Sequence, residues 1–175
     1  MNDLDWIFRR RSIRKFTSQK VSEEQIKTLL EAGMAGPSAV NFKPWKFIVV
    51  DDENMLNALR RALPYGKFNA SLAIVVCGDI RAIRKPIGEK FWIQDCSAAS
   101  ENILLAATAM GLGSVWCGVH PIRLIENPVR KALDIPDGVI PLNVIYLGYP
   151  DEEKPARTQY SAKNVYRNRF GENWE

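Results

Sequence analysis

Apolar and polar residues alternate along this chain in two rhythms, and the switches between them mark out the elements. Residues 3–9 read as a short helix with Trp6 and Ile7 as its apolar contacts. The following RRRSIRKF mixes basic and other residues without helical spacing and reads as extended. Ser22 and Gln25 fit a capping box, and Ile26, Leu29 and Leu30 then recur at helical spacing. Gly33 and the Gly36-Pro37 pair are expected to stop that helix. Residues 36–45, GPSAVNFKPW, read as a loop with two prolines, followed by a strand over 46–50. Residues 53–63 place Met55, Leu56, Leu59 and Leu63 on one helical face. Leu72–Cys77 is a continuous apolar run of strand length, the pattern of a strand covered on both faces.

The longest helix is expected from about Glu89 to Met110, with Gly111 as its end. Its second half, AASENILLAATAMG, is apolar nearly all round, which suits the middle of a fold or a subunit interface. Strands are expected at Ser114–Cys117 and Val139–Leu147, with a helix near 122–133 between them. After residue 150 the character changes. Lys154, Arg157, Lys163, Arg167 and Arg169 interleave with Tyr160, Tyr166, Phe170 and Trp174 and give no core-like run. The reading is a core over 1–150 and a C-terminal arm over 151–175 whose aromatic residues anchor on a partner subunit. Helices and strands alternate without a regular βαβ rhythm, so the predicted class is α+β, with a mixed sheet of four or five strands packed on helices around a central apolar helix.

Composition adds limits to that picture. The chain has 175 residues, 46% hydrophobic and 25% charged. At this length a fold buries roughly 70% of its unfolded surface and needs no disulfide or metal. Cys77, Cys96 and Cys117 form no CxxC pair, and with a single histidine, His120, no zinc site is expected. His120 reads as a turn residue before Pro121, with a general acid as the other reading, and Cys77 and Cys96 read as core. The first residues lack the pattern of a signal peptide, and the central helix carries Lys90, Asp95 and Glu101, so no membrane span is expected and a cytoplasmic location is the default. The net charge of +4 is too mild to indicate nucleic acid, but it suits an anionic small ligand.

Four stretches carry candidate chemistry. In the extended RRSIR, Arg10, Ser12 and Arg14 point to one side and can converge on an anion, with Arg11 beside them; by spacing alone, a solvated basic patch is the simpler account. On the 36–45 loop, Pro37, Ser38 and Asn41 can meet the polar edge of a planar heterocycle, or merely turn the chain into a strand. Gly111-Leu112-Gly113 follows a helix and is not a dinucleotide fingerprint, though its glycines permit close approach to a ligand near Trp116, Cys117 and Gly118. Lys154 and Arg157 can complete a phosphate clamp or face solvent. No nucleophile elbow, paired-carboxylate signature or P-loop is present.

Taken together and in this order, RRSIRKF, GPSAVNFKPWKFIVV, ENILLAATAMGLGSVWCGV and the basic arm after LGYP resemble the FMN-dependent nitroreductase family over nearly the whole chain. The resemblance implies a homodimer with shared FMN sites. Arg10 and Ser12 would hold the phosphate and ribityl chain, with Arg11 supporting through backbone or side chain, and Arg14 would support the flavin edge where negative charge collects on reduction. Pro37, Ser38 and Asn41 would come from the partner subunit. Trp116, Cys117 and Gly118 would line the ring, and Lys154 and Arg157 would close on the phosphate. NADH or NADPH would deliver hydride to flavin N5, and a nitroaromatic, quinone or similar acceptor would take it in a ping-pong cycle without a dedicated catalytic side chain. Flavin reduction, dehalogenation or dehydrogenation on the same scaffold, or flavin binding with little turnover, remain the alternatives. Lys43 departs from the glutamine frequent in the family before Pro-Trp.

Overall fold

The structure is a computed structural model that describes residues 4–83 and 89–174. Its elements are α1 (Asp5–Arg9), α2 (Glu23–Met34), β1 (Trp45–Val50), α3 (Glu53–Ala62), β2 (Leu72–Asp79), α4 (Trp92–Ala109), β3 (Gly113–Gly118), α5 (Arg123–Ala132) and β4 (Val139–Gly148). One sheet runs in the order β1-β2-β4-β3. Each of its three ladders joins strands of opposite direction, Trp45 facing Gly78, Ile74 facing Ile145, and Trp116 facing Ile145 from the other side. The expected mixed character therefore narrows to one parallel bridge, between Ser12 of the extended segment and Ser114 of β3. That segment behaves as a partial fifth strand: Phe16 bridges Pro150 just beyond β4.

Helices cover both faces of the sheet, which is why every residue of β2 is buried. On one face α2 and α4 supply Ile26, Leu29, Cys96, Ile103 and Leu104 against Ile74, Val76, Ile145 and Leu147. On the other, α3 and α5 supply Leu56, Leu59, Ile125 and Val129 against Val75, Cys77, Val144 and Tyr146. The helix α4 touches all four strands and is the central helix of the sequence reading. Gly111, in the left-handed region at φ 75°, follows its C-cap as expected. The helix starts at Trp92, three residues after the expected Glu89; residue 3 of the expected first helix and residue 175 of the arm lie outside the described residues.

The local signals of α2 hold in part. Ser22 and Gln25 form the full reciprocal capping box. Gly33, however, does not stop the helix, which continues through it to Met34. A Cβ at Gly33 would lie 3.1 Å from the side chain of Ile103, so this glycine lets α2 approach α4. Met55 likewise departs from the expected α3 face and is exposed, while Leu56, Leu59 and Leu63 are buried.

The expected boundary at residue 150 falls inside a paired region. Asp151 N–H donates to Lys15 O, and Arg157 N–H donates to Phe8 O. The chain through residue 157 therefore rests on its own N-terminal segment. Beyond it the arm folds on itself, with Tyr166 bridging Asn173, Tyr166 and Phe170 at 4.5 Å, and the Arg167 guanidinium 4.2 Å from the Trp174 ring. Its aromatic residues stay largely outside: Tyr160, Phe170 and Trp174 are all exposed.

Candidate functional site

The basic stretch and the start of the arm meet along the edge of β3. Ile13 N–H donates to Ser114 O at 2.9 Å, which lays the extended segment beside the strand. Gly113 is needed there, since a Cβ would stand 2.7 Å from Ile13 Cγ2. The Lys154 ammonium donates to Ser12 O at 2.6 Å and pairs with Glu152 at 3.0 Å. Glu152 also accepts the Arg14 N–H at 2.5 Å. Arg11 donates to the carbonyl of Pro155, and Arg10 pairs with Glu101 of α4 at 3.6 Å. Arg10, Arg11, Ser12, Arg14, Lys154 and Arg157, separated by about 140 positions in sequence, thus share one neighbourhood rich in positive charge.

The electrostatics fit that arrangement. Glu152 is held below the ordinary carboxyl value, chiefly by the Arg14 backbone N–H and then by Lys154. Burial pushes the Cys117 thiol up to about 11, against a smaller lowering by the charge of Arg14. Such a thiol is protonated at neutral pH and inert as a nucleophile. Its side chain packs in the α3–α5 core, whereas Trp116 packs on the α4 side. Successive strand residues face opposite sides, so Trp116 and Cys117 do not present side chains to one ligand face. Gly118 is different. A Cβ built there would meet nothing within 4 Å, so open space lies directly over its backbone, and its carbonyl accepts the Tyr65 hydroxyl at 2.6 Å.

Pro37, Ser38 and Asn41 form a second group that the chain does not bring to the first. Their loop packs on the 95–99 side of α4, through Gly36 against Ala99 and Ala39 N–H to Asp95, while Arg10 reaches Glu101 on another face of the same helix. Ser38 Oγ accepts the Lys43 N–H at 3.0 Å. Val40, Asn41 and Lys43 all lie in the left-handed region, at φ 50°, 57° and 51°. For a β-branched residue such as Val40 this is a strained geometry.

A cavity of about 900 Å³ lies elsewhere, lined by Lys20, Asp52, Arg60, Lys67 and Asn69 among others. None of the candidate residues lines it. Its deepest cation, Arg60, is already committed to Glu53, Asn57 and the carbonyls of Phe68 and Ala70. The charged cluster at β3 has the stronger chemical case.

The nitroreductase family model matches residues 7–65 and 60–149. This chain belongs to the nitroreductase family. It is 42% identical over 172 residues to an Archaeoglobus fulgidus protein that bears the provisional name NADH dehydrogenase/NAD(P)H nitroreductase, covering 95% of this chain and 98% of the relative. Among solved structures, an FMN-dependent nitroreductase from Clostridium difficile R20291 superposes with a TM-score of 0.86 at 32% identity, covering 95% of this chain and 99% of that one. The NADPH:FMN oxidoreductase of Vibrio harveyi, solved with NAD+, gives a TM-score of 0.86 at 28% identity, covering 98% and 79%.

Within this member of the nitroreductase family, several site neighbours left little trace in sequence. Glu152 is the middle of three consecutive acidic residues at the start of the arm, and only Lys154 two positions on hints at a role. Tyr65 lies in a Pro-Tyr-Gly turn with no periodicity to flag it. Asn69 uses its side-chain amide as a strand would, donating to Phe16 O at 2.6 Å and accepting Phe16 N–H at 3.1 Å. His120 is the expected turn residue, with Nδ1 2.7 Å from Glu126 Oε1. Among the described residues no cluster suited to a metal occurs, and no helix is long and apolar enough to cross a membrane.

Proposed function

We propose that this NAD(P)H-dependent oxidoreductase of the nitroreductase family holds FMN against β3 and reduces a nitroaromatic, quinone or similar organic acceptor. The observation that carries the reading is the meeting of Arg10–Arg14 with Lys154 along β3 at Ser114, the strand that ends at Gly118 with open space over its backbone. The residues fit the cofactor. Guanidinium and ammonium donors suit a terminal phosphate, and a glycine backbone admits a flat ring at close range. When bound, FMN supplies the hydride chemistry, accepting from a nicotinamide and passing to an oxidant.

The chain's own residues bind, orient and polarise. Arg10, Arg11 and Ser12 hold the phosphate and ribityl chain, with Lys154 and Arg157 closing from the arm. Arg14 places fixed positive charge beside 116–118, where it favours an anionic reduced state. The Gly118 backbone would lie against the ring; Trp116 would shape the flanking wall, and Cys117 would contribute backbone only. No side chain in this set has to deliver a proton of its own, so donor and acceptor can use one exposed face in turn.

The site is completed by a second copy of the chain. Pro37, Ser38 and Asn41 sit on another face of α4 from Arg10, and so serve the neighbouring protomer's flavin. Apolar surface supports this pairing. A groove of about 300 Å³ runs between α1, α2 and α4, lined by Trp6, Ala32, Ala35, Leu105 and Ala106, and Ile7 and Phe8 of α1 and Met34 of α2 are exposed. The exposed arm beyond residue 157 supplies further anchors on the partner. Initial rates with NADH or NADPH and a nitroaromatic or quinone, both varied together, test the reading. Parallel double-reciprocal lines are expected. Intersecting lines would place donor and acceptor in separate sites, and no turnover with either nicotinamide would leave a flavin binder.

A further inference from the structure

We infer that Asp95 is a positioning residue that sets the geometry of the 38–43 loop for flavin binding, an inference that rests on the FMN reading above. Asp95 lies in the first turn of α4 and is buried, only 5% exposed. It continues a row one helical turn apart, Asp95, Ala99 and Ile103, along which α2 and its following loop pack. Gly33 meets Ile103, Gly36 meets the Ala99 backbone, and Asp95 Oδ1 accepts the Ala39 N–H at 2.9 Å. Its other oxygen, Oδ2, is buried and has no hydrogen-bond partner among the described residues.

A carboxylate is a costly way to hold one amide in a buried place, because its second oxygen is desolvated for nothing within the chain. What it adds over a neutral acceptor is a stronger, charge-assisted bond. That bond falls where the backbone needs restraint. Immediately after Ala39 come Val40 and Asn41 in left-handed conformation, and Lys43 follows in the same region. Inside the loop, Ser38 O accepts the Asn41 N–H and Ser38 Oγ accepts the Lys43 N–H. Across to the rest of the fold, Asp79 N–H donates to Pro44 O at the far end, and among the described residues Asp95 is the hydrogen-bonded tie of the 38–43 loop at the near end. Released there, the turn would relax toward ordinary backbone angles and carry the exposed Asn41 side chain away from its place in the site.

The test compares FMN dissociation from Asp95→Ala, Asp95→Asn and wild-type protein, followed by the rise in flavin fluorescence on dilution, with thermal midpoints recorded on the same samples. Asp95→Ala is expected to bind FMN about tenfold more weakly, and Asp95→Asn, which keeps an acceptor oxygen, to stay within about threefold of wild type. Ala39→Pro removes the same hydrogen bond from the loop side, at the first position of a 3-10 turn after the extended Ser38. It should weaken FMN as Asp95→Ala does, and it carries the test if Asp95→Ala fails to fold. Unchanged affinity in Asp95→Ala, or in Ala39→Pro, would overturn the inference. So would equal losses in Asp95→Ala and Asp95→Asn, the mark of a general core defect. A wild-type protein that takes up no FMN would sink the underlying reading instead.

Discussion

Replacing Gly118 by alanine separates a ligand contact from a folding requirement. Gly118 closes β3 and is not in the left-handed region, and a methyl group added there would find nothing within 4 Å. Alanine should therefore cost the fold nothing, and by reducing the freedom of the unfolded chain it should add up to about 1 kcal/mol. If the flavin ring lies over this backbone, the same methyl is forced into a packed contact, which costs about 1–3 kcal/mol. That range corresponds to roughly fivefold to hundred-and-fifty-fold weaker FMN binding. Gly113→Ala is the control of opposite sign. Its Cβ would stand 2.7 Å from Cγ2 and 2.9 Å from Cβ of the buried Ile13, so it should destabilise the fold by about 1–3 kcal/mol. Urea denaturation and FMN titration of both variants, at equal protein concentration, check the pair. A Gly118→Ala protein that binds FMN like wild type, or that loses stability as Gly113→Ala does, would refute the reasoning.

Arg10→Ala should weaken FMN by about 1.5–3 kcal/mol, the scale of a lost charged hydrogen bond, while denaturation midpoints barely move because its pair with Glu101 is half exposed. Tyr146→Phe should raise stability by about 1 kcal/mol and the thermal midpoint by roughly 2–4 °C, since the buried hydroxyl has no partner among the described residues; a fall would mean that the hydroxyl is satisfied. Glu152 has a depressed folded-state carboxyl, so its contribution is complete above the ordinary value of 4.5 and is lost as pH falls through the lower folded one. Glu152→Gln should therefore flatten the acid side of the stability–pH profile, leaving the similar contribution of Asp79, held down by Arg81, in place; an unaltered profile would contradict this.

The sequence was most informative where a local rule fixes a local structure. The Ser22–Gln25 box, the Gly111 helix end and the apolar run of β2 each became the predicted element, because capping, left-handed glycine and two-sided burial act over a few residues. Gly33 misled because a glycine can serve a close helix contact as well as a stop, and only the position of Ile103 decides between them. The antiparallel order of the sheet depends on how long connections cross it, which short-range spacing does not encode. The same limit applies to the site. Arg10–Arg14 and Lys154 were each legible as basic stretches, but Glu152, Asp95 and Tyr65 act through partners 53 to 138 positions away. Adjacency to Trp116 brings Cys117 into the sequence-level site, whereas strand alternation turns its thiol into the opposite core.

The central claim is tested most directly by the visible spectrum of the purified protein, read before and after denaturation and after incubation with added FMN. The account predicts the absorption of oxidised flavin in the native protein, or its acquisition on reconstitution, with FMN and not FAD released when the protein unfolds. A colourless protein that takes up no added FMN would contradict it.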